Sequence, residues 1–318
     1  MLDEAKRLLQ SKKMEERLRA VRLLRRVASP EACRLLLKAL QDRVYYVAEQ
    51  AADALGDIGD DQAAMEMTAR FLYLSEDGLK RDPGCHVRAH LAFSLARLNY
   101  HPAYKALRIG IRTRQIEPVA GVPTDTGATL RANCALALAQ LRDRDALRDI
   151  SLLLFDTGVN AIDAPKKVRP FGSEPRKAAA QALARLADPA CVAPLSLKLT
   201  YPGDETLDVL QECMQAIVDL EDERAVDLLK PYLEHHDRHL AAFAAVMLAR
   251  TRAPEAIELL RDVIPTFTGD PLRAILLALT SLRTEEAAAL LRALAQDPRQ
   301  EVRKIIAEVA PDYLPHPN

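Results

Sequence analysis

The sequence predicts an all-α fold, a right-handed α-solenoid of about eight to nine helix–turn–helix repeats, and three observations carry that expectation. Apolar residues recur at helical spacing, as in Val87, Leu91, Leu95 and Leu98, with small residues between them that let neighbouring helices approach closely. A short Ala- and Leu-rich signature returns along the chain: Ala54-Leu55-Gly56-Asp57-Ile58-Gly59-Asp60, Ser94-Leu95-Ala96-Arg97-Leu98, Ala137-Leu138-Ala139-Gln140-Leu141, Ala182-Leu183-Ala184-Arg185-Leu186 and Met247-Leu248-Ala249-Arg250. Glycine is scarce, with 11 in 318 residues, about half the usual usage of roughly 7%. That scarcity argues against all-β and doubly wound folds and against phosphate loops.

Taking the Leu or Ile of each signature as an anchor gives Leu24, Leu55, Leu95, Leu138, Leu183, Ile217, Leu248 and Leu279, and a partial ninth unit begins near Val302. Each anchor closes a first helix. A second helix opens shortly after, as at Pro30-Glu31-Ala32-Cys33, Asp145-Ala146-Leu147, Glu223-Arg224-Ala225-Val226, Pro254-Glu255-Ala256-Ile257 and Glu285-Glu286-Ala287. Pro and acidic residues suit its first turn, where a missing N–H costs nothing and negative charge meets the positive end of the dipole. One unit cannot bury its apolar face alone, so stacking into a single array over residues 1–318 is expected, with polar caps at both ends. The charged N-terminal segment, about residues 1–15, and the Pro-rich tail, about residues 311–318, fit those caps.

Val47 and the run Ala51-Ala52-Asp53-Ala54-Leu55-Gly56-Asp57-Ile58-Gly59-Asp60 resemble the HEAT-repeat family, in the short bacterial form similar to the HEAT-like repeats of phycobilin lyases. The resemblance extends over roughly residues 15–310. It implies the fold and is nearly silent on function, because such repeats carry enzymes, scaffolds and nucleic-acid binders alike. HEAT-like di-iron hydroxylases use His-Glu pairs as ligands, and this chain contains no His-Glu dipeptide. HEAT-like DNA glycosylases depend on a basic cleft with aromatic residues, and zero Trp with 44 basic against 45 acidic residues argues against that class. A lyase-like role in handling tetrapyrrole propionates would use Lys105 and Arg108.

Successive anchors are separated by 31, 40, 43, 45, 34, 31 and 31 residues. Three consecutive repeats therefore carry insertions, at about residues 73–86, 113–127 and 156–175. All three follow a second helix, so they are expected side by side on one edge, where loops on a rigid scaffold usually carry function.

Charge is balanced overall and uneven locally. Residues 1–26 hold nine basic residues against four acidic ones, whereas 204–237 holds eleven acidic against two basic. Ten residues past successive anchors lie Arg34, Met65, Lys105, Arg148, Ala193, Asp227, Glu258 and Ala289. In the second half, Asp227 with Lys230 and Glu258 with Arg261 are expected to neutralise one another as i,i+3 pairs. In the third repeat Lys105, Arg108 and Arg112 share a face with no acidic neighbour on it, and the third insertion adds Lys166, Lys167 and Arg169. In the second insertion, Thr124 and Asp125 are candidates to position a ligand, with a helix cap as the plainer role for Asp125.

Reactive chemistry is sparse. There is no G-x-x-x-x-G-K, G-x-S-x-G or H-E-x-x-H motif, and no cofactor is expected. His235 and His239 would share a face if helical, which makes them weak metal candidates. Cys85, at the start of a helix, is a candidate for a lowered pKa. Cys134 and Cys213 occupy core positions. Five widely spaced cysteines, the absence of a membrane-length apolar run and the lack of an N-terminal signal core predict a cytoplasmic protein. The expected function is a non-enzymatic scaffold or interaction protein. Its second-helix surface and edge loops, through Arg34, Lys105, Arg108, Arg112, Arg148, Thr124, Asp125, Lys166, Lys167 and Arg169, would bind a protein or peptide with an acidic segment. A tetrapyrrole or small ligand and nucleic acid are the alternatives.

Overall fold

The computed structural model describes residues 1–156 and 172–313. It is an all-α solenoid that divides into two compact units, Met1–Cys191 and Val192–Asn318. The first unit contains α1 (Leu2–Leu9), α2 (Met14–Val27), α3 (Pro30–Ala39), α4 (Tyr45–Ile58), α5 (Asp61–Glu76), the short α6 (Gly78–Arg81), α7 (His86–Arg97), α8 (Tyr104–Ile111), α9 (Ala128–Gln140), α10 (Leu147–Leu153) and α11 (Glu174–Leu186). The second contains α12 (Val192–Thr200), α13 (Leu207–Asp219), α14 (Ala225–Leu229), α15 (Arg238–Thr251), α16 (Pro254–Val263), α17 (Gly269–Thr280), α18 (Glu285–Leu294) and α19 (Gln300–Val309).

In the first unit α2, α4, α7, α9 and α11 stack as a row of first helices, and α3, α5, α8 and α10 form the row of second helices. The first helices are buried on several sides by small residues. Ala48, Ala51, Ala52, Ala89, Ala92, Ala96, Ala132, Ala135, Ala139, Ala178, Ala179 and Ala182 are all buried. Helices approach closely at Gly56 of α4, where a Cβ would lie 2.9 Å from the Cα of Ser94 on α7. Leucine anchors and Phe71 fill the layer between the two rows. Helix starts follow local chemistry: Ser29 and Asp60 accept hydrogen bonds from Ala32 and Ala63, and Pro30 and Pro254 occupy first-turn positions.

The turn from first to second helix recurs with one backbone solution. Ala28, Asn99, Arg142, Ala187, Glu221, Arg252 and Arg283 all have φ between 47° and 58°, and each stands at the same position after its anchor. The left-handed residue lets the chain reverse tightly without glycine, at a cost of roughly 1 kcal/mol per site. The low glycine content thus reflects strained turns as well as the small amount of sheet.

The second insertion adds a β-hairpin that the helical periodicity does not anticipate. Strand β1 (Ile116–Val119) pairs antiparallel with β2 (Val122–Asp125), with Ile116 opposite Asp125 and Val119 opposite Val122. Ala120 and Gly121 between them have φ of 50° and 79°. Two left-handed residues give the turn whose twist matches paired strands.

Candidate protein-interaction site

The second helices of the first unit present one stripe outward. Positions 10, 14 and 17 past each anchor are Arg34, Lys38 and Gln41; Met65, Ala69 and Leu72; Lys105, Ile109 and Arg112; and Arg148, Leu152 and Phe155. Spacings of four and three put each trio on one helix face. All twelve residues are exposed and none is acidic. Met65, Ile109 and Leu152 are 49%, 46% and 60% exposed, so large apolar side chains stand in water on three successive helices. The equivalent trios of the second unit include Asp227, Glu234, Glu258 and Asp262.

Two of the expected binding arginines are already partnered. Arg108 pairs through Nη2 with Asp143, its Nε donates to Asp143 Oδ2 at 2.6 Å, and Nη2 also reaches Asp145 Oδ2 at 3.0 Å. Arg112 Nη2 donates to Asp149 Oδ2 at 2.6 Å. The expectation of a face without acidic neighbours is therefore corrected. The acids come from the start of the next second helix, which i,i+3 and i,i+4 spacing within one helix cannot reveal. Lys105, Arg148 and Arg34 have no ion pair among the described residues. Lys166, Lys167 and Arg169 lie outside the described residues. In the second unit Glu258 pairs with Arg261 at 2.7 Å, whereas α14 ends at Leu229, and Asp227 and Lys230 form no pair among the described residues.

Beneath the insertions runs a buried polar ladder. Arg88, Arg131 and Arg176, each at the same position before its anchor, are buried, as is the equivalent Arg17. Asp82 Oδ2 accepts from Arg88 Nε at 2.9 Å and from the Arg88 N–H at 3.1 Å, while Oδ1 accepts from the Val87 N–H at 2.9 Å. Gln115 of the second insertion accepts from Arg88 Nη2 at 2.7 Å and donates to the Asp82 carbonyl at 3.0 Å. Glu117 accepts from the Gly84 N–H at 2.8 Å and from Thr126 Oγ1 at 2.7 Å. These bonds staple the first two insertions together. Arg176 Nη1 donates to the Asp156 carbonyl at 2.9 Å, tying the two described ends of the third insertion.

Asp125 belongs to this ladder. Its carboxylate accepts from Arg131 and from the Gly127 N–H at 3.0 Å, and its side chain has no exposed surface. It is thus a structural acid, and the expectation that it positions a ligand is corrected. Thr124 sits half-buried on β2 with Oγ1 donating to the Val122 carbonyl.

Between the first two insertions and the start of α4 lies a cleft of about 500 Å³, whose walls include Tyr45, Arg70, Lys80, His86 and Val119. The His86 ring stacks on Tyr45 with centroids 4.4 Å apart. Its Nδ1 lies 3.2 Å from Glu49 Oε1, while His90 Nδ1 lies 2.9 Å from Asp53 Oδ1. The Arg81 guanidinium covers the Tyr73 ring at 4.0 Å and pairs with Glu76 at 2.6 Å. Neither Arg70 nor Tyr45 stands out in the sequence, because the insertions that enclose them have no helical register.

The candidate reactive groups change standing. Cys85 is buried, and burial pushes its thiol up to about 12, the reverse of an activated cysteine. Cys134 and Cys213 are buried core residues. His235 precedes α15 in extended backbone and its Nδ1 accepts from the Asp237 N–H at 3.0 Å. It therefore shares no helix face with His239, and no cluster of three His, Cys, Asp or Glu fit to hold a metal occurs among the described residues.

Comparison with known proteins follows this geometry. Residues 5–73 match the family model of HEAT repeats, and residues 175–197 match that of the PBS lyase HEAT-like repeat. Residues 5–73 and 175–197 thus carry HEAT-type repeats. No curated protein matches the sequence. Among solved structures, YibA of Escherichia coli is 18% identical with a TM-score of 0.55, over 89% of this chain and 92% of that one. The CpcE–CpcF complex of phycocyanin lyase from Nostoc is 20% identical with a TM-score of 0.46, over 83% and 94%. Karyopherin Kap121p bound to the SUMO protease Ulp1p is 13% identical with a TM-score of 0.48, over 98% and 38%. The likeness to YibA concerns the fold alone. A HEAT array is an architecture suited to protein interaction, and no helix among the described residues is long and apolar enough to cross a membrane.

Proposed function

We propose that this HEAT-repeat chain is a non-enzymatic interaction protein whose second-helix face in residues 1–191 binds an acidic, apolar-studded segment of a protein partner. The observation that carries the reading is the stripe of twelve exposed positions on four consecutive second helices, which holds Met65, Leu72, Ile109, Leu152 and Phe155 beside Arg34, Lys38, Lys105, Arg112 and Arg148 and no acid. Apolar side chains left in water on one face gain roughly 1.5–3 kcal/mol each when a partner covers them fully. The cations orient an acidic segment, and reversing their sign sets like charges against it, which weakens binding. Within the basic set, Lys105, Arg34 and Arg148 are free to meet a partner, whereas Arg108 and Arg112 are held by Asp143, Asp145 and Asp149.

The test uses a synthetic peptide alternating Glu and Leu around a single Trp. The chain contains no Trp, so indole fluorescence reports the peptide alone. Charge reversal by Lys105→Glu with Arg148→Glu, at unchanged circular dichroism, should weaken binding at least about tenfold. Unchanged affinity would remove the second-helix face from the reading. Binding to a DNA duplex with a steep salt dependence would favour nucleic acid instead.

A further inference from the structure

The cleft between the first two insertions contains a cation without an ion-pair partner of its own, with Asp82 acting on it only at longer range. Arg70, on α5, is half-buried, its Nε is shielded from solvent without a hydrogen-bond partner, and it forms no ion pair among the described residues. The Tyr73 ring centroid lies 5.2 Å from the guanidinium carbon. Burial holds its pKa below the usual guanidinium value. A desolvated cation without a partner is costly, and proteins ordinarily supply one.

The acids lining this cleft do not serve. The Asp82 carboxylate is occupied by Arg88 and two backbone N–H groups. Asp42 is held by Arg17 at 2.6 Å and by the Val44 N–H. Glu117 accepts from Gly84, Gln115 and Thr126. Three further cations, Arg43, Lys80 and Arg81, stand at the wall, and Arg81 is paired with Glu76. Lys80 is largely in solvent with Asp77 3.3 Å away, and Arg43 has no ion pair among the described residues.

A second repeat shows what this position takes when its partner is internal. Arg70 lies 15 residues past the anchor Leu55, and the same position after Leu183 is Lys198. Lys198 is buried, and its Nζ lies 2.5 Å from Glu205 Oε2, a carboxylate brought by the segment that follows α12. The segment that follows α5 brings Asp82 instead, which turns away to Arg88. We infer that the cleft is a carboxylate-binding site, with Arg70 as the counter-ion of an acidic side chain that a partner segment inserts between Tyr45 and Val119. The two Nη groups, which are not shielded as Nε is, offer the fork that a carboxylate accepts in bidentate fashion. This inference rests on the acidic-partner reading for the source of the carboxylate and on the cleft alone for its chemistry.

The test separates the two. Isophthalate, a small aromatic dicarboxylate, and the Glu/Leu peptide are titrated against wild type, Arg70→Gln and Arg70→Lys, with melting temperature as the folding control. Loss of isophthalate binding in Arg70→Gln, about tenfold weaker peptide binding and partial recovery in Arg70→Lys are expected. Isophthalate bound equally by wild type and Arg70→Gln, or by neither, overturns the carboxylate site whatever the peptide does. Arg70-dependent isophthalate binding with peptide affinity indifferent to Arg70 keeps the site and overturns the partner segment as its source.

Discussion

Arg131 is clamped between two carboxylates, with Nη2 2.9 Å from Asp125 and Nε 3.0 Å from Asp156. All three side chains are buried, and the part-exposed Arg114 reaches the same two carboxylates, 3.3 Å from Asp125 and 2.6 Å from Asp156, so two guanidiniums tie the hairpin of the second insertion to the start of the third. Arg131→Met leaves the two buried acids only the part-exposed Arg114 as counter-charge. It should destabilise by less than the roughly 3–5 kcal/mol of a fully orphaned buried charge, read from urea unfolding followed by circular dichroism, and Arg131→Met with Arg114→Met should reach that range.

The left-handed turns predict the opposite sign. Ala28 and Ala187 are exposed, with φ of 47° and 50°. Glycine carries no Cβ penalty there, so Ala28→Gly and Ala187→Gly should each stabilise by about 0.5–1 kcal/mol. Destabilisation by either in the same unfolding assay would contradict the strain assigned to these turns.

All five cysteines are buried and unpaired. Burial raises the Cys85 thiol to about 12, so an aromatic disulfide reagent at neutral pH should label none in the folded chain and all five in urea. Fast labelling of Cys85 in the folded state would restore it as a reactive group.

His90 predicts a pH dependence. The hydrogen bond to Asp53 raises its pKa above the ordinary imidazole value, with the charges of Asp53, Glu49 and Asp82 adding to the effect. A pKa raised in the folded state contributes stability in full below the unfolded value, about 6.5, and loses it as pH rises through the folded value. His90→Gln should therefore lower the melting temperature more below about pH 6 than above about pH 8. An equal loss at both would assign His90 a packing role only.

The repeat was legible because each anchor and each second-helix start recurs with the same physical requirement. The ladder of Arg17, Arg88, Arg131 and Arg176 was legible in principle from a fixed distance to the anchor, a spacing that helical periodicity alone does not single out. The partners of Arg108 and Arg112 were not legible, since Asp143, Asp145 and Asp149 approach across a repeat boundary. The hairpin was hidden for a related reason: its order comes from Gln115 and Glu117 reaching the first insertion, while its strands are only four residues long. Cys85 misled because a helix N-terminus lowers a thiol pKa only where water or a cation outweighs burial.

The most direct test of the second-helix face is photo-crosslinking. A benzophenone side chain is placed at Ile109 or Leu152 in the first unit, or at the comparably exposed Leu277 in the second, and each variant is irradiated with the Glu/Leu peptide. The account predicts covalent capture from Ile109 and Leu152 and none from Leu277. Capture from Leu277 alone, or equally from all three, would contradict it.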